Sequence, residues 1–289
     1  MYYPEILEGA CDIHIHTLPC LVPRELGIAD MWHSARRAHM AAVVIKDHHY
    51  CTAPACSVVS GGAPADGTYL FGSVVLNSGA GGMSADVVET AIAFGAKIVW
   101  MPTVSAVNNI SHAVKAGNPA LKLSGSAVPV VDEDGKLLAQ TVDVLKVLAE
   151  HPDVVLGCGH IDARETDAVL EKAFSLGLTR VFVDHPTIFG EISLEDMKRW
   201  AAMGAYIEHT ASGSMPGSVV FHTHHSEIVE AIRAVGADHT IISSDAGQKG
   251  NGDPVEMLDR FMKLMEDGGI PGDDLEKMVK TNTRKLLGL

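Results

Sequence analysis

The chain has few charged residues and no long hydrophobic run, and both shortages limit what it can be. Only 20% of its 289 residues are charged, whereas 47% are hydrophobic, so there is ample material for a buried core. The longest apolar stretches, such as residues 41–45, fall far short of the roughly 20 residues that a membrane-spanning helix needs. We therefore expect a folded chain that does not span a bilayer.

Basic residues are also scarce, and no run of them occurs along the chain. With 22 Lys and Arg against 36 Asp and Glu, the formal net charge is −14, so a nucleic-acid backbone would be repelled. Five cysteines form an odd set without a CxxC pair, and the N-terminus shows no basic stretch followed by an apolar core. These absences predict a cytoplasmic protein with no nucleic-acid and no membrane partner.

What the chain does contain is a repeat of strand-like and helix-like segments within the size range of a single α/β barrel. The β-branched apolar runs predict eight strands, at residues 11–16, 42–46, 70–76, 97–101, 154–158, 180–183, 205–208 and 240–243. Helical spacing predicts helices at residues 27–39, 84–94, 142–150, 164–176, 194–203, 226–235 and 254–267. Repeated βα units of this kind predict one α/β domain over residues 1–289.

The repeat is interrupted after the fourth strand. Gly, Ser, Pro and Asn are frequent between Thr103 and Gln140, and the run from Asp132 to Gly135 indicates a hairpin turn. We interpret residues 104–140 as an insertion, and residues 50–67 as a second irregular stretch. In a barrel such connections lie at the carboxyl ends of the strands, so both would contribute a lid or a substrate wall.

The first strand carries a histidine pair that could chelate a metal ion. Asp12, His14 and His16 alternate with apolar residues, so we expect the three side chains to face the same side of the strand. A histidine pair of this spacing also occurs with a purely structural role. Its context favours the metal site, because His160, His185 and Asp245 end the fifth, sixth and eighth predicted strands and would reach the same rim.

This arrangement resembles the amidohydrolase superfamily, which has HxH after the first strand, single histidines after the fifth and sixth, and an aspartate after the eighth. The resemblance covers almost the whole chain, including residues 281–289, where an Asn precedes Leu-Leu-Gly. It implies a (β/α)8 TIM barrel and a metal-dependent hydrolase. In that family's pattern, His14, His16 and Asp245 would bind one divalent ion, while His160 and His185 would bind a second ion or hold the substrate.

The sequence departs from the family at the residue that bridges two ions. The usual bridge is a carboxylated lysine or a glutamate at the end of the fourth strand, where this chain reads Trp100-Met101-Pro102-Thr103. Lys46, at the end of the second strand, offers a substitute if it is carboxylated. The alternative is an ammonium group that pairs with Asp47 or binds an anionic substrate. One or two ions are therefore expected, with Zn²⁺ preferred and Mn²⁺ or Fe open.

The resemblance predicts hydrolysis of an amide, cyclic amide, ester or lactone bond in a small-molecule substrate. Asp245 would carry the proton from the attacking water to the leaving group. The residues that we expect to contact substrate are His48, His49, Glu208 and His209.

Three other functions stay open. A metal-dependent non-oxidative decarboxylase fits the missing bridge on the fourth strand. A phosphoesterase is suggested because Lys46-Asp47-His48 resembles the Thr-Asp-His step of the polymerase-and-histidinol-phosphatase superfamily, although Asp245-Ala246-Gly247 lacks the closing histidine of that superfamily. The third is a barrel that binds metal without catalysis. Apolar residues near Met31, Trp32 or Phe261, if exposed, would form the interface of a homo-oligomer.

Overall fold

The structure, a computed structural model, describes residues 4–116, 122–187 and 192–289. Eight strands are present: β1 Cys11–Ile15, β2 Ala42–Ile45, β3 Tyr69–Val75, β4 Ala96–Trp100, β5 Val155–Gly157, β6 Val181–Val183, β7 Tyr206–Thr210 and β8 Thr240–Ser243. The helices are α1 Pro4–Leu7, α2 Ile28–Arg37, α3 Ala53–Ser60, α4 Ala85–Ala93, α5 Val107–Lys115, α6 Ala139–Glu150, α7 Ala163–Ser175, α8 Leu194–Met203, α9 His225–Val235, α10 Pro254–Asp267, α11 Gly272–Glu276 and α12 Asn282–Leu287.

The eight strands form one parallel sheet in the order of the sequence. The sheet curls until its edges meet, where Ile15 pairs with Ala246 in a parallel bridge and the His16 N–H donates to the Ala246 carbonyl at 2.8 Å. Helices alternate with the strands and cover the outside of the sheet. The predicted (β/α)8 TIM barrel is confirmed, and each predicted strand is found to within two residues.

A register shift in β1 changes which side chains face the barrel interior. Asp12 and Ile15 lie opposite Val43 and Ile45, so three residues of β1 span two residues of β2. A bulge of this kind takes the residues on its two sides out of phase. His14 and His16 line a cavity at the carboxyl end of the barrel, and Asp12 does not. The prediction that all three side chains share a face is therefore wrong for Asp12.

Helix α3 lies within the predicted irregular stretch at residues 50–67, and α5 lies within the predicted insertion at residues 104–140. Both contain β-branched residues, Ser or Asn, which are weak helix formers in isolation. Packing against β3 outweighs that preference in α3, where Ala53 and Cys56 are buried, whereas α5 has no buried residue. The turn predicted from Asp132 to Gly135 is present, because the Asp132 N–H donates to the Lys136 carbonyl at 2.9 Å. That residues 104–140 are an insertion stays a prediction.

The apolar residues that we predicted to be exposed for self-association are buried. Met31 and Trp32 pack on the inner face of α2, and Phe261 packs on the inner face of α10, all within the layer between helices and barrel. That assignment of an interface is wrong, because the amphipathic helices turn these residues toward the core. Among the described residues no helix is long and apolar enough to cross a membrane.

The C-terminal helix is attached to the amino end of β8 through one amide side chain. Asn282, which is buried at the start of α12, donates from Nδ2 to the carbonyls of Ala237 and Thr240, each at 2.7 Å. The Ala237 carbonyl also accepts a backbone N–H at the end of the turn Ala237–His239, so the amide matters most for the carbonyl of the buried Thr240. The Asn that marked the terminal segment in the sequence therefore has a structural role.

We expect Asn282→Ala to lower the free energy of unfolding by about 1–3 kcal/mol, since it removes two hydrogen bonds and takes the side-chain partner from the carbonyl of the buried Thr240. Urea denaturation followed by circular dichroism would measure the change. Thr281→Ala, at the exposed neighbouring position, is the matched control and should leave stability almost unchanged. Equal stability of both variants would show that the amide does not hold α12.

Candidate metal centre

A cavity of about 440 Å³ opens at the carboxyl end of the barrel, within the size range of small-molecule sites. Eight residues predicted from the sequence as ligands, proton carrier or substrate contacts line it: His14, His16, Lys46, His48, His49, His160, His185 and Asp245. They come from five different strand ends. Residues far apart in the chain are thus brought to one place by the barrel topology.

Two histidines of β1 converge on the carboxylate that follows β8. Asp245 Oδ1 lies 3.2 Å from His14 Nε2 and 3.1 Å from His16 Nε2. Gly247 allows this approach, because a Cβ there would lie 1.8 Å from the His16 carbonyl oxygen. Asp245 itself has a left-handed backbone, with φ of 47°, which is uncommon for a residue other than glycine.

The distance from each histidine nitrogen to Asp245 Oδ1 fits two ligands of one metal ion. Ligand atoms at the 2.0–2.1 Å bond lengths of Zn²⁺ are separated by about 3.3 Å in a tetrahedral site. Burial lowers the pKa of His16 to about 3, so its ring is neutral and can donate a lone pair. His14, His185 and Asp245 also each offer a ligand atom within 4.8 Å of the others.

Glu208 orients His14. Its two carboxylate oxygens lie 3.3 Å and 3.2 Å from His14 Nδ1, and the side chain is fully buried. The carboxylate therefore favours a proton on Nδ1, which leaves the Nε2 lone pair directed toward Asp245. We predicted Glu208 as a substrate contact, but it lies beneath His14 and does not line the cavity.

Asp12 joins the first strand to the last. Its Oδ1 accepts the backbone N–H of His14 at 3.2 Å and that of Ser244 at 3.0 Å. Burial raises the pKa of its carboxyl to about 6. The side chain thus fixes β1 against the end of β8, which carries Asp245, and it acts on the site through the backbone.

Lys46 is fully buried at the base of the cavity, and its Nζ lies 3.0 Å from His14 Nε2. The same atom lies 3.8 Å from Asp184 Oδ2 and 3.9 Å from the centre of the Trp100 ring. Burial lowers the pKa of the amine. Trp100 occupies the end of β4, where Gly157 leaves room for it, because a Cβ at residue 157 would lie 2.8 Å from the Trp100 ring.

A second group of side chains that could bind a metal ion follows the carboxyl ends of β5 and β6. His160, Asp184 and His185 each offer a ligand atom within 4.8 Å of the others. His160 Nδ1 lies 3.0 Å from Asn109 Oδ1, which leaves Nε2 for the cavity. His185 has a left-handed backbone, with φ of 29°. Burial raises the pKa of Asp184 to about 7, and its Oδ2 has no hydrogen-bond partner among the described residues.

Sequence reasoning missed Asp184 and Arg24. Asp184 directly precedes His185, so its place at a strand end was a usable signal. Arg24 lines the cavity from the connection between β1 and α2, where no periodic pattern marks it.

Of the four predicted substrate contacts, His48 and His49 line the cavity, whereas Glu208 and His209 do not. His48 Nδ1 lies 2.8 Å from Thr103 Oγ1, and His49 Nε2 lies 3.1 Å from the Leu123 carbonyl, so both rings form cavity wall. His209 is fully buried and is not part of the wall. It neighbours Glu208 on β7 and therefore faces the opposite side of that strand.

Comparison with known proteins gives the chain a family. A family model described as a family of unknown function, DUF6282, matches residues 9–208. The chain belongs to this family. The match to DUF6282 begins before β1 of this chain and continues through most of β7. It leaves out β8, which precedes Asp245. No curated protein matches the sequence.

Solved structures share the barrel of this DUF6282 protein. An amidohydrolase from Pseudomonas aeruginosa is 13% identical with a TM-score of 0.65, and the match covers 99% of this chain and 98% of that one. An organophosphorus hydrolase from Deinococcus radiodurans is 12% identical with a TM-score of 0.60, over 97% and 92%. The phosphotriesterase homology protein from Escherichia coli is 12% identical with a TM-score of 0.58, over 96% and 99%. The likeness shows a shared fold.

We expect Glu208→Ala to weaken Zn²⁺ binding by about 10- to 100-fold, because His14 would lose the group that orients its ring. Competition with a fluorescent chelator would measure the affinity. Glu227→Ala removes the same charge from an exposed position on α9 and serves as the control. Equal affinities for the Glu208→Ala variant and the wild type would contradict the orienting role.

Proposed function

We propose that this protein is a metal-dependent hydrolase that cleaves an amide, cyclic amide, ester or lactone bond in a small molecule. The observation that carries the proposal is the approach of His14 Nε2 and His16 Nε2 to one oxygen of Asp245, at 3.2 Å and 3.1 Å. The shared fold with an amidohydrolase and with an organophosphorus hydrolase supports it.

His14, His16 and Asp245 would hold a divalent ion, for which Zn²⁺ is our first choice and Mn²⁺ or Fe²⁺ the alternatives. His160 and His185 would hold a second ion, with Asp184 as an added carboxylate. A bound ion supplies a water of lowered pKa and polarises the bond to be cleaved. The neutral ring of His16 is in the protonation state that such binding requires.

Asp245 has the position of a proton carrier. Its Oδ2 accepts a hydrogen bond from Ser212 Oγ at 3.1 Å, while Oδ1 faces the two histidines. Burial opposes its ionisation, but the contacts with the His14 and His16 rings outweigh burial and hold its pKa well below the usual range, so the carboxyl is ionised. The carboxylate can therefore take a proton from the attacking water and pass it to the leaving group.

Lys46 has the position of a bridging ligand. Its Nζ lies between His14 Nε2, at 3.0 Å, and Asp184 Oδ2, at 3.8 Å, and so between the two groups of metal-binding side chains. Carboxylation of this amine would turn it from a cation into an anion that reaches both groups. An uncarboxylated Lys46 would leave an ammonium group beside the first ion, which favours a single-ion site.

We expect Asp245→Asn to reduce kcat by at least about 100-fold while the fold is kept, because an amide cannot carry the proton. Hydrolysis of a panel of lactones, esters, amides and phosphate esters by the metal-loaded protein would measure this. Asp143→Asn, on the exposed face of α6, is the control. Near-normal turnover by Asp245→Asn would rule out its role as proton carrier.

The metal content should depend on Lys46. If Lys46 is carboxylated, we expect two ions per chain in the wild type and one in Lys46→Met, as counted by elemental analysis of protein prepared with bicarbonate. Lys97→Met removes a surface lysine and serves as the control. Two ions in the Lys46→Met variant would remove Lys46 from the site.

A metal-dependent non-oxidative decarboxylase is the second candidate. The observation that favours it is Trp100, which fills the end of β4 and offers no ligand for a bridge between two ions. Release of carbon dioxide without incorporation of oxygen from labelled water would distinguish this reaction from hydrolysis.

A further inference from the structure

Arg24 lies in the outer wall of the cavity, and its positive charge has no carboxylate partner among the described residues. Arg24 lines the cavity and is only 6% exposed, in a chain whose formal net charge is −14. Its Nε donates to Cys20 Sγ at 3.2 Å. Its two terminal nitrogens have no carboxylate partner in residues 4–116, 122–187 and 192–289. A buried guanidinium without a counterion is unfavourable for folding, which suggests that a ligand completes the site.

The backbone holds Arg24 in place. The residue pairs with Gln248 in an antiparallel bridge, and the Glu25 N–H donates to the Gly247 carbonyl at 2.9 Å. Glu25 Oε2 accepts the Gly250 N–H at 2.9 Å. The arginine is thus fixed to the segment that follows Asp245, and a ligand would meet a preorganised group.

The positive charge of Arg24 also lowers the pKa of side chains in the candidate metal centre. After burial, its charge is the largest cause that lowers the pKa of His16. It contributes in the same direction at Lys46 and His48. Arg24 and the candidate metal centre line the same cavity of about 440 Å³, so one small molecule can contact both.

Two other polar side chains of the wall, Asn109 and Gln248, are already occupied. Asn109 pairs with His160 through Oδ1 and donates from Nδ2 to the Val104 carbonyl. Gln248 donates to the Asp245 carbonyl and accepts from Asn251. The remaining outer wall carries His222 and is otherwise apolar, with Val22, Val104, Leu123 and Val220. Arg24 is therefore the strongest hydrogen-bond donor that faces a ligand there.

We propose that Arg24 binds a carboxylate group of the substrate. The substrate class is then a small organic acid, with the carboxylate at Arg24, an apolar segment against the valines, and the reacting bond at the candidate metal centre. This last part rests on the proposed function. The planar fork of one guanidinium matches the two oxygens and the single charge of a carboxylate, whereas a phosphate monoester dianion calls for a second cation.

Binding of straight-chain acids tests the proposal without turnover. Calorimetry would compare dicarboxylates from succinate to adipate with monocarboxylates of equal length on Zn²⁺-loaded protein. We expect the best dicarboxylate to bind about 10- to 100-fold more tightly, because it reaches both the ion and Arg24. Arg24→Gln should abolish that advantage, so that dicarboxylates and monocarboxylates of equal length bind alike. An advantage that persists in the variant would overturn the proposal.

A second measurement needs no variant and no metal. After removal of the metal with a chelator, the wild type should prefer pentanoate to the neutral pentanamide by at least about 10-fold. Absence of any preference would overturn the proposal even if Arg24→Gln failed to fold. Tighter binding of butyl phosphate than of pentanoate would overturn the assignment to carboxylates.

Two controls separate the possible failures. Arg37→Gln removes an exposed arginine at the end of α2 and should leave every affinity unchanged. Arg24-dependent binding without hydrolysis of any ester, lactone or amide would contradict the proposed function and support the carboxylate site. Hydrolysis with acid binding that is indifferent to Arg24 would do the reverse.

Discussion

The closure of the barrel between its first and last strands is the constraint on which the candidate site depends. Asp12 bridges this seam by accepting backbone N–H groups from His14 and Ser244 with one oxygen. His14 and His16 lie on one side of the seam and Asp245 on the other. The distances of 3.1–3.2 Å between the histidine Nε2 atoms and Asp245 Oδ1 therefore depend on how the first and last strands are held together. A buried carboxylate that accepts two backbone donors fixes this distance more firmly than flexible side chains could.

The barrel interior is layered beneath that seam. The Trp100 and Phe182 rings meet edge to face with their centres 5.0 Å apart, and the His14 ring lies 4.8 Å from Trp100 on the cavity side. Glu208 supports His14 from within this buried layer. Packing of this kind excludes water from below the site and strengthens the electrostatic interactions among His14, Lys46 and Asp245. The apolar core and the polar cluster are therefore parts of one arrangement.

The fold was predictable from the sequence because each strand is a short β-branched run with a break after it, a signal that depends only on neighbouring residues. Helix α3 escaped prediction because packing against β3, and not local preference, stabilises it, and α5 escaped because its residues are weak helix formers. Histidines at strand ends identified the cavity. The role of Glu208 could not be predicted, since it depends on β7 lying beside β8 and near β1. The bulge that turns Asp12 away from His14 leaves no mark in the alternation of residue types.

His185 and Asp245 each directly follow the end of a strand or lie within two residues of it. Each has a left-handed backbone, with φ of 29° and 47° respectively. Each such residue costs about 1–3 kcal/mol relative to a relaxed conformation. Glycine would relieve that strain and would also remove a side chain that faces the cavity. The chain has thus kept a less stable backbone at two of its eight strand ends, as is common where natural proteins give up stability to position functional groups. Thermal stability and ligand placement in this barrel therefore oppose each other at the same two residues.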